Sequence, residues 1–181
     1  MNHPTVISVP VVVRPSVWVG CLACYNASVL RGLWIDAEDA DDITPEDLHG
    51  CPTSHEELWC LDHEGFPSHT GEMSPSQAGL WGELFNDVGE AQWPAFLAWV
   101  ENGGYTYDSD GLPDRGAFED QYLGTWFSFT EYLSDEIEAM QDGWPEEAVR
   151  YFDEDAYERD ARFDYTLLDA PDGCVYVFRD C

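Results

Sequence analysis

The stretch "VWVGCLACYNASVLRGLWIDAEDADDITPED", residues 17–47, passes from an apolar to an acidic composition and predicts how the fold begins. Residues 17–25 and residues 28–37 both predict β-strands, and the short segment "NAS" between them predicts a tight turn. The two strands are therefore expected to form an antiparallel hairpin. Thr44 then precedes Pro45 and two acids, which is the pattern of a capped helix start. The stretch predicts an α+β fold that opens with a hairpin.

Further strands and helices are predicted along the rest of the chain. Residues 56–65 predict a third strand that closes a small sheet, and residues 165–180 predict two strands about a Pro-Asp-Gly turn. Helical patterns occupy these segments: 74–89, 93–104, 117–124 as a short helix or turn, 125–143 with its helix starting near Ser128, 145–152, and 154–163 with Asp153 as its cap.

The predicted fold class is α+β, elongated, with three small modules in line. An N-terminal arm, residues 1–16, precedes an antiparallel sheet with a helix, residues 17–64. A helical middle module follows over residues 65–104, and helices with a small antiparallel sheet occupy residues 105–181. A rod spreads like charges farther apart than a globule does, so this arrangement lowers self-repulsion.

The charge of the chain is strongly one-sided. It has 37 acidic residues, 7 arginines and no lysine, which gives a formal charge of −30. Acidic disordered chains are poor in apolar residues, whereas this chain is 44% hydrophobic with 14% aromatic residues. Such charge repels nucleic acid and anionic membranes. It predicts a folded protein with a basic partner.

Export, membrane insertion and catalysis are not predicted. Residues 6–13 are apolar, but Pro10 interrupts them and no basic region precedes them, so they predict an extended arm and a cytoplasmic protein. No GxSxG, HExxH or phosphate-binding glycine loop occurs. A calcium loop built on Asp110 would place Thr106 and Ala117 at positions that require carboxylates. We therefore expect no enzyme and no cofactor.

Six cysteines raise the alternatives of disulfides and zinc: Cys21, Cys24, Cys51, Cys60, Cys174 and Cys181. Disulfides are disfavoured because the chain shows no export signal. A zinc site could pair Cys21 and Cys24 with Cys60 and His63. Residues three apart in a strand point to opposite faces, and the predicted strands place both pairs in that relation. No metal site is therefore predicted, and small buried apolar side chains are the favoured interpretation.

The acids are interpreted as substitutes for DNA phosphates. Because duplex DNA carries one charge per roughly 1.7 Å, a charge of −30 matches about 51 Å of duplex, roughly fifteen base pairs. The phosphate-mimicking candidates are Asp36, Glu38, Asp39, Asp41, Asp42, Glu46, Asp47, Glu83, Asp87, Glu90, Glu101, Asp135, Glu138, Asp153, Glu154 and Asp155. Two alternatives remain open: a halophilic acidic binding module, and an acidic chaperone-like or assembly protein that shields a basic partner.

Five stretches follow one another in this chain: "CLACYNASVLRGLWIDAEDADDI", "DHEGFP", "AFEDQYLGTWFS", "RYFDEDAYERDARFDY" and "GCVYVFRD". Together they resemble the ArdA antirestriction proteins, and the resemblance covers residues 17–181. Each motif is weak alone, and their order and spacing carry the resemblance. Cys21 and Cys24 are an individual feature outside the family pattern.

The resemblance implies a function that composition alone does not give. ArdA proteins are elongated dimers that mimic bent B-form DNA and occupy the DNA-binding site of type I restriction–modification enzymes, so that they protect incoming plasmids or transposons. The partner would then be the DNA-recognition subunit and the methyltransferase core. The resemblance also implies a homodimer whose contact lies in the C-terminal module.

Overall fold

The computed structural model describes residues 12–180, except for the side chain of residue 172. The predicted arm, residues 1–16, lies outside the described residues up to residue 11. The chain divides into two compact units, an N-terminal unit that ends at Arg115 and a C-terminal unit that begins at Gly116. The mixed α+β class is confirmed, with two small antiparallel sheets and several helices. The division into three modules stays a prediction.

The N-terminal unit contains a three-stranded antiparallel sheet in the order β2-β1-β3. Its strands are β1 (Ser16–Cys21), β2 (Gly32–Asp36) and β3 (Leu58–Glu64). The predicted pairing of the first two strands is confirmed, because Val17 lies opposite Ile35 and Val19 lies opposite Leu33. The predicted third strand is also confirmed, and it pairs with the other edge of β1.

The connection between β1 and β2 differs from the prediction. Residues 22–25 were expected to continue the first strand, but they belong to a short helix, α1 (Leu22–Asn26). Val19 is the last β-branched residue of the first predicted strand. Beyond the end of α1, the Val29 N–H donates a hydrogen bond to the Cys24 carbonyl at 2.9 Å. The tight "NAS" turn was therefore wrong. The two strands still pair beyond this helix, and the Cys21 N–H donates a hydrogen bond to the Arg31 carbonyl at 2.9 Å.

Four helical segments complete the N-terminal unit: a 3-10 helix (Ala37–Asp42), α2 (Pro45–His49), α3 (Pro75–Val88) and α4 (Trp93–Asn102). The predicted starts of α2 and α3 are confirmed, because Thr44 and Ser74 each form a reciprocal capping box with the residue three positions later. At the end of α4, Gly103 adopts the left-handed conformation that favours glycine.

Two kinds of apolar side chain form the core of this unit. Val17, Val19 and Cys60 of the sheet pack with small alanines. The aromatic part centres on Trp93 and Phe96, whose rings stack at 5.2 Å and which are 1% and 0% exposed. Burying one such side chain stabilises a fold by roughly 1.5–3 kcal/mol. This aromatic content opposes the self-repulsion of the surface acids.

The C-terminal unit contains a second antiparallel sheet in the order β4-β6-β5. Its elements are α5 (Arg115–Gln121), which begins one residue before the unit, β4 (Tyr122–Trp126), α6 (Phe129–Met140), α7 (Glu146–Arg150), α8 (Glu154–Ala161), β5 (Tyr165–Asp169) and β6 (Val175–Arg179). The predicted start of α6 near Ser128 and the predicted cap of α8 are confirmed, since Ser128 and Asp153 each accept a hydrogen bond from a backbone N–H three residues later. The predicted pairing of the last two strands is confirmed as well.

Strand β4 was not predicted. Tyr122 was placed in a short helix or turn, whereas its ring stacks on Phe118 at 5.1 Å and lies 5.3 Å from Phe178 of the central strand. Backbone pairing with the central strand β6 holds these residues extended directly after α5. Gly124 takes a φ of +113°, and the register of β4 on β6 shifts beside it.

Over the described residues, no helix is long and apolar enough to cross a membrane.

Candidate partner-binding surface

The 3-10 helix displays its acids because of where its alanines fall. Ala37 and Ala40 are 0% exposed. A 3-10 helix has three residues per turn, so side chains three apart lie on the same side. The two alanines therefore share the buried side, and Glu38, Asp39 and the Asp41–Asp42 pair are left at the exposed positions. In the sequence "DAEDADD", the two alanines therefore face the core and the acidic side chains face solvent.

Helix α3 holds this acidic segment in place. Asp41 accepts a hydrogen bond from the Ser76 hydroxyl at 2.6 Å, and Glu38 accepts one from the side-chain amide of Asn86. Arg14 bonds Glu38 and lies 3.4 Å from the carboxylate of Asp36. Part of the acidic segment is therefore positioned by contacts within the unit.

Other acids of the same segment face solvent without such contacts. The carboxylates of Asp39, Asp42 and Glu46 form no hydrogen bond or ion pair with any residue between 12 and 180 that the structure describes. Asp47 instead closes the cap of α2. Its carboxylate accepts the Thr44 hydroxyl at 2.6 Å and the Thr44 N–H at 2.9 Å, and these two hydrogen bonds lower the pKa of Asp47.

The candidate acids on and after α3 are also exposed. Glu83 and Asp87 lie one turn apart on this helix, and Asp87 pairs with Arg115 at 3.2 Å. Glu90 is exposed beyond the end of the helix. Glu101 accepts a hydrogen bond from the Ser68 N–H at 3.0 Å. This group extends the acidic surface of the N-terminal unit beyond the 3-10 helix.

In the C-terminal unit, acids of α6 and α8 border an open groove of about 810 Å³. Asp135 and Glu138 line it from α6, and Glu154 lines it from the first turn of α8. Asp153 caps α8, with its carboxylate 2.9 Å from the Ala156 N–H. Asp155 is exposed beside it. Acids in the first turn of a helix stabilise it by interacting with the helix dipole, so Glu154 and Asp155 also stabilise α8.

All sixteen candidate carboxylates are exposed. No charged side chain is buried among the described residues. Arginines are used within the chain: Arg150, Arg159 and Arg162 each lie within 3.4 Å of a carboxylate. The arrangement can therefore accept hydrogen bonds and ion pairs from the cations of a basic partner, and its own cations neutralise only a small part of it.

The sequence-based argument about metal binding is corrected by the structure. Helix α1 turns the chain after Cys21, so Cys21 and Cys24 share one side together with His49 and His55. Cys60 does not join them. His63 also lies apart, since its ring Nε2 is 2.8 Å from the Thr70 carbonyl. The two histidines were missed, although their spacing of five intervening residues is one seen in zinc sites.

Large apolar side chains are exposed on the C-terminal unit. Phe127, Tyr151 and Phe163 are 77%, 82% and 83% exposed. Exposed apolar side chains that form a contiguous patch can mark a contact with another protein chain. The sequence reasoning did not single out these three residues.

Comparison with known proteins gives one family. A search of curated proteins returns no match. The family model described as antirestriction protein (ArdA) matches residues 17–176, which is nearly the whole chain. The matched range contains the 3-10 helix and all sixteen candidate carboxylates, and it reaches from β1 to the beginning of β6. The chain therefore belongs to the ArdA family of antirestriction proteins.

Proposed function

We propose that this protein inhibits type I restriction–modification enzymes by mimicking B-form DNA, with surface carboxylates in the place of phosphates. Membership of the antirestriction family supports inhibition of restriction enzymes in general. The observation that carries the finer proposal is the exposure of all sixteen candidate acids on an ordered frame. A solvated disordered tail would not hold carboxylates at fixed positions.

The fixed positions matter because a DNA-binding groove contacts many phosphates at once. Asp36 and Glu38 are held by Arg14, and Asp41 is held by Ser76. A carboxylate that is already positioned loses little conformational entropy on binding. Asp39 and Asp42 remain available to the arginine and lysine side chains of the partner, because arginine bonds carboxylates and phosphates in similar bidentate geometry.

The proposed partner is the DNA-recognition subunit with the methyltransferase core. A groove that binds duplex DNA gains much of its affinity by releasing counterions from phosphates. A surface with an excess of 30 negative charges supports the same gain, and it repels DNA and anionic membranes. The proposal includes action in the cytoplasm, where such enzymes meet the DNA of an incoming mobile element.

We further propose that the protein acts as a homodimer. The exposed Phe127, Tyr151 and Phe163 support a contact through the C-terminal unit. A dimer also doubles the matched charge, which corresponds to about 30 base pairs of duplex.

Competition on a type I methyltransferase tests the proposal. The protein should displace labelled duplex from the enzyme, should not bind the duplex itself, and should lose affinity steeply as salt rises. Polyglutamate of equal total charge is the control, since it offers carboxylates without a DNA-like frame. A ternary complex with the DNA still bound would refute the mimicry. Equal displacement by polyglutamate would favour an acidic protein that shields a basic partner.

A further inference from the structure

One cluster of side chains in the N-terminal unit is independent of the acidic surface. Cys21 ends β1, Cys24 lies in α1, His49 ends α2, and His55 lies in the loop before β3. The two cysteines are buried and the two histidines are half-buried. Side chains from four parts of the fold therefore converge in one place, although none of them belongs to the proposed DNA-mimicking set.

The separations within the cluster fit a tetrahedral metal site. Zinc–sulfur bonds of about 2.3 Å and zinc–nitrogen bonds of about 2.0–2.1 Å place neighbouring sulfur and nitrogen ligands about 3.5–3.6 Å apart. The Sγ of Cys24 lies 3.5 Å from His55 Nδ1 and 3.7 Å from His49 Nε2, and the Sγ of Cys21 lies 3.2 Å from His55 Nδ1. All four ligand atoms lie within 4.8 Å of one another.

We propose that Cys21, Cys24, His49 and His55 bind one zinc ion as a closed structural site. Both cysteines are free thiols, and the sequence spacing Cys-x2-Cys followed by His-x5-His is one that zinc sites use. Four protein ligands leave no open position, so the site is structural and not catalytic. Sulfur and imidazole ligands together select zinc over magnesium or calcium.

The surroundings of the cluster suit a bound metal. The imidazoles of His49 and His55 are both half-buried, and their ring centroids lie 4.9 Å apart. Arg31 lies near Cys24, and the Arg31 Nε is buried with no hydrogen-bond partner among residues 12–180. A zinc-bound thiolate at Cys24 places an acceptor beside this guanidinium. Such outer contacts orient metal ligands.

The zinc would stabilise two short helices of the N-terminal unit. Helix α1 and helix α2 each have five residues, and helices of this length are not stable alone. One zinc ion would tie both helices and the segment before β3 to the end of β1. Two thiolates balance the charge of Zn²⁺, so the acidic surface keeps its charge. The site is therefore a structural metal site within the N-terminal unit, and it is independent of the proposed function.

Metal content of the full-length, tag-free protein tests this proposal. Native mass spectrometry should find one zinc per chain, and zinc added to the chelator-stripped protein should raise its unfolding temperature. Cys24→Ser and His49→Ala should each weaken zinc binding by more than about a hundredfold, since even outer-shell changes weaken metal sites 10–100-fold. Cys51→Ser is the matched control, because this exposed thiol lies between the two histidines in sequence and outside the cluster.

A substitution that keeps a ligand protects the test against simple unfolding. His55→Cys should retain zinc, whereas His55→Ala should lose it. Cobalt chloride should give the visible bands of tetrahedral Co²⁺ and a thiolate charge-transfer band in the wild-type protein. A wild-type chain that binds neither metal, a Cys21–Cys24 disulfide in place of the metal, or equal zinc affinities of Cys24→Ser and Cys51→Ser would overturn the proposal.

Discussion

Gly82 of α3 lies directly against the backbone of Glu38 in the 3-10 helix. A Cβ atom on Gly82 would stand 2.2 Å from the Glu38 backbone nitrogen and 2.5 Å from its Cα. No side chain fits in this space, so the glycine permits α3 to approach the acidic segment closely. The position of the outward-facing carboxylates thus depends on a residue that carries no charge.

Replacing this glycine should destabilise the N-terminal unit. Alanine is favoured over glycine in a helix by about 1 kcal/mol, but overpacking against backbone costs about 1–3 kcal/mol or more. We expect Gly82→Ala to lower the free energy of unfolding by at least about 1 kcal/mol. Urea unfolding followed by circular dichroism measures this change.

Gly79 provides the matched control on the same helix. A Cβ atom there would meet only the Cβ of Asp41, at 3.8 Å, which is an ordinary contact. Gly79→Ala should therefore raise the free energy of unfolding by up to about 1 kcal/mol. Equal stabilities of the Gly79→Ala and Gly82→Ala variants would contradict the close-packing argument.

The proposed mimicry predicts that binding energy is distributed over many carboxylates. Asp39→Asn and Asp42→Asn should each weaken binding to the methyltransferase by less than about fivefold, because an exposed ion pair contributes about 0–1 kcal/mol. Neutralising Asp36, Glu38 and Asp41 as well should weaken it clearly and reduce its salt dependence. Titration of the enzyme at several salt concentrations measures both effects.

The matched control removes the same charge elsewhere. The double variant Glu147→Gln, Asp169→Asn neutralises two exposed acids outside the candidate set. It should weaken binding less than the double variant Asp39→Asn, Asp42→Asn, which removes the same charge. Abolition of inhibition by one single substitution would contradict the distributed mechanism, because it would identify a local hot spot.

The cap of α2 predicts a pH effect on stability. Hydrogen bonds from Thr44 lower the pKa of Asp47 below its ordinary value of 3.8. Folding therefore favours the ionised carboxylate, and this stabilisation is complete above pH 3.8 and is lost as the pH falls through the folded-state pKa. Thr44→Ala should raise the pKa of Asp47 toward 3.8, which NMR titration measures. An unchanged titration of Asp47 in this variant would refute the assignment.

Much of the fold follows from local signals. Thr44, Ser74, Ser128 and Asp153 mark helix starts, and each of them caps a helix in the structure. Such caps act within a few residues, so a sequence can reveal them without knowledge of the tertiary fold. The pairing of β1 with β2 and that of β5 with β6 were also predicted, because a short connecting segment between two strand-like stretches indicates a hairpin.

The missed elements depend on contacts between distant residues. Helix α1 is too short to show a helical period, and its apolar residues read equally well as strand. Strand β4 pairs with β6, and Tyr122 lies 5.3 Å from Phe178, which is far along the chain. This long-range pairing cannot be read from the local pattern.

The same error concealed the cysteine–histidine cluster. A strand through Cys24 would have separated it from Cys21, and the short helix instead brings them together. The acidic residues were easier to place, since carboxylates are rarely buried and exposure is their default. Which of them contact a partner is a property of the complex, so the sequence and the isolated chain both leave it as a prediction.

The exposed phenylalanines predict where the proposed dimer forms. Phe163→Ser and Phe127→Ser should each weaken dimerisation more than about tenfold, because we expect each ring to be buried at the contact and burial of a phenylalanine contributes about 1.5–3 kcal/mol. Sedimentation equilibrium measures the change. Leu30→Ser is the control, because Leu30 is 78% exposed in the N-terminal unit and should not affect the dimer. Loss of the dimer only in the Leu30 variant would place the contact in the other unit.

Salt should affect folding and binding in opposite directions, which separates a DNA mimic from a halophilic protein. Screening of like charges stabilises the fold as the Debye length falls from about 8 Å at 0.15 M to about 3 Å at 1 M, whereas counterion release makes partner binding weaker. Because its aromatic core is buried, the protein should unfold cooperatively at about 0.15 M salt, as measured by circular dichroism. Phe96→Ala, which removes a fully buried ring, should lower the free energy of unfolding by about 3–5 kcal/mol, and added salt should partly restore it. A wild-type fold that forms only in molar salt would instead support the halophilic alternative, with the acids of residues 36–47 serving solvation.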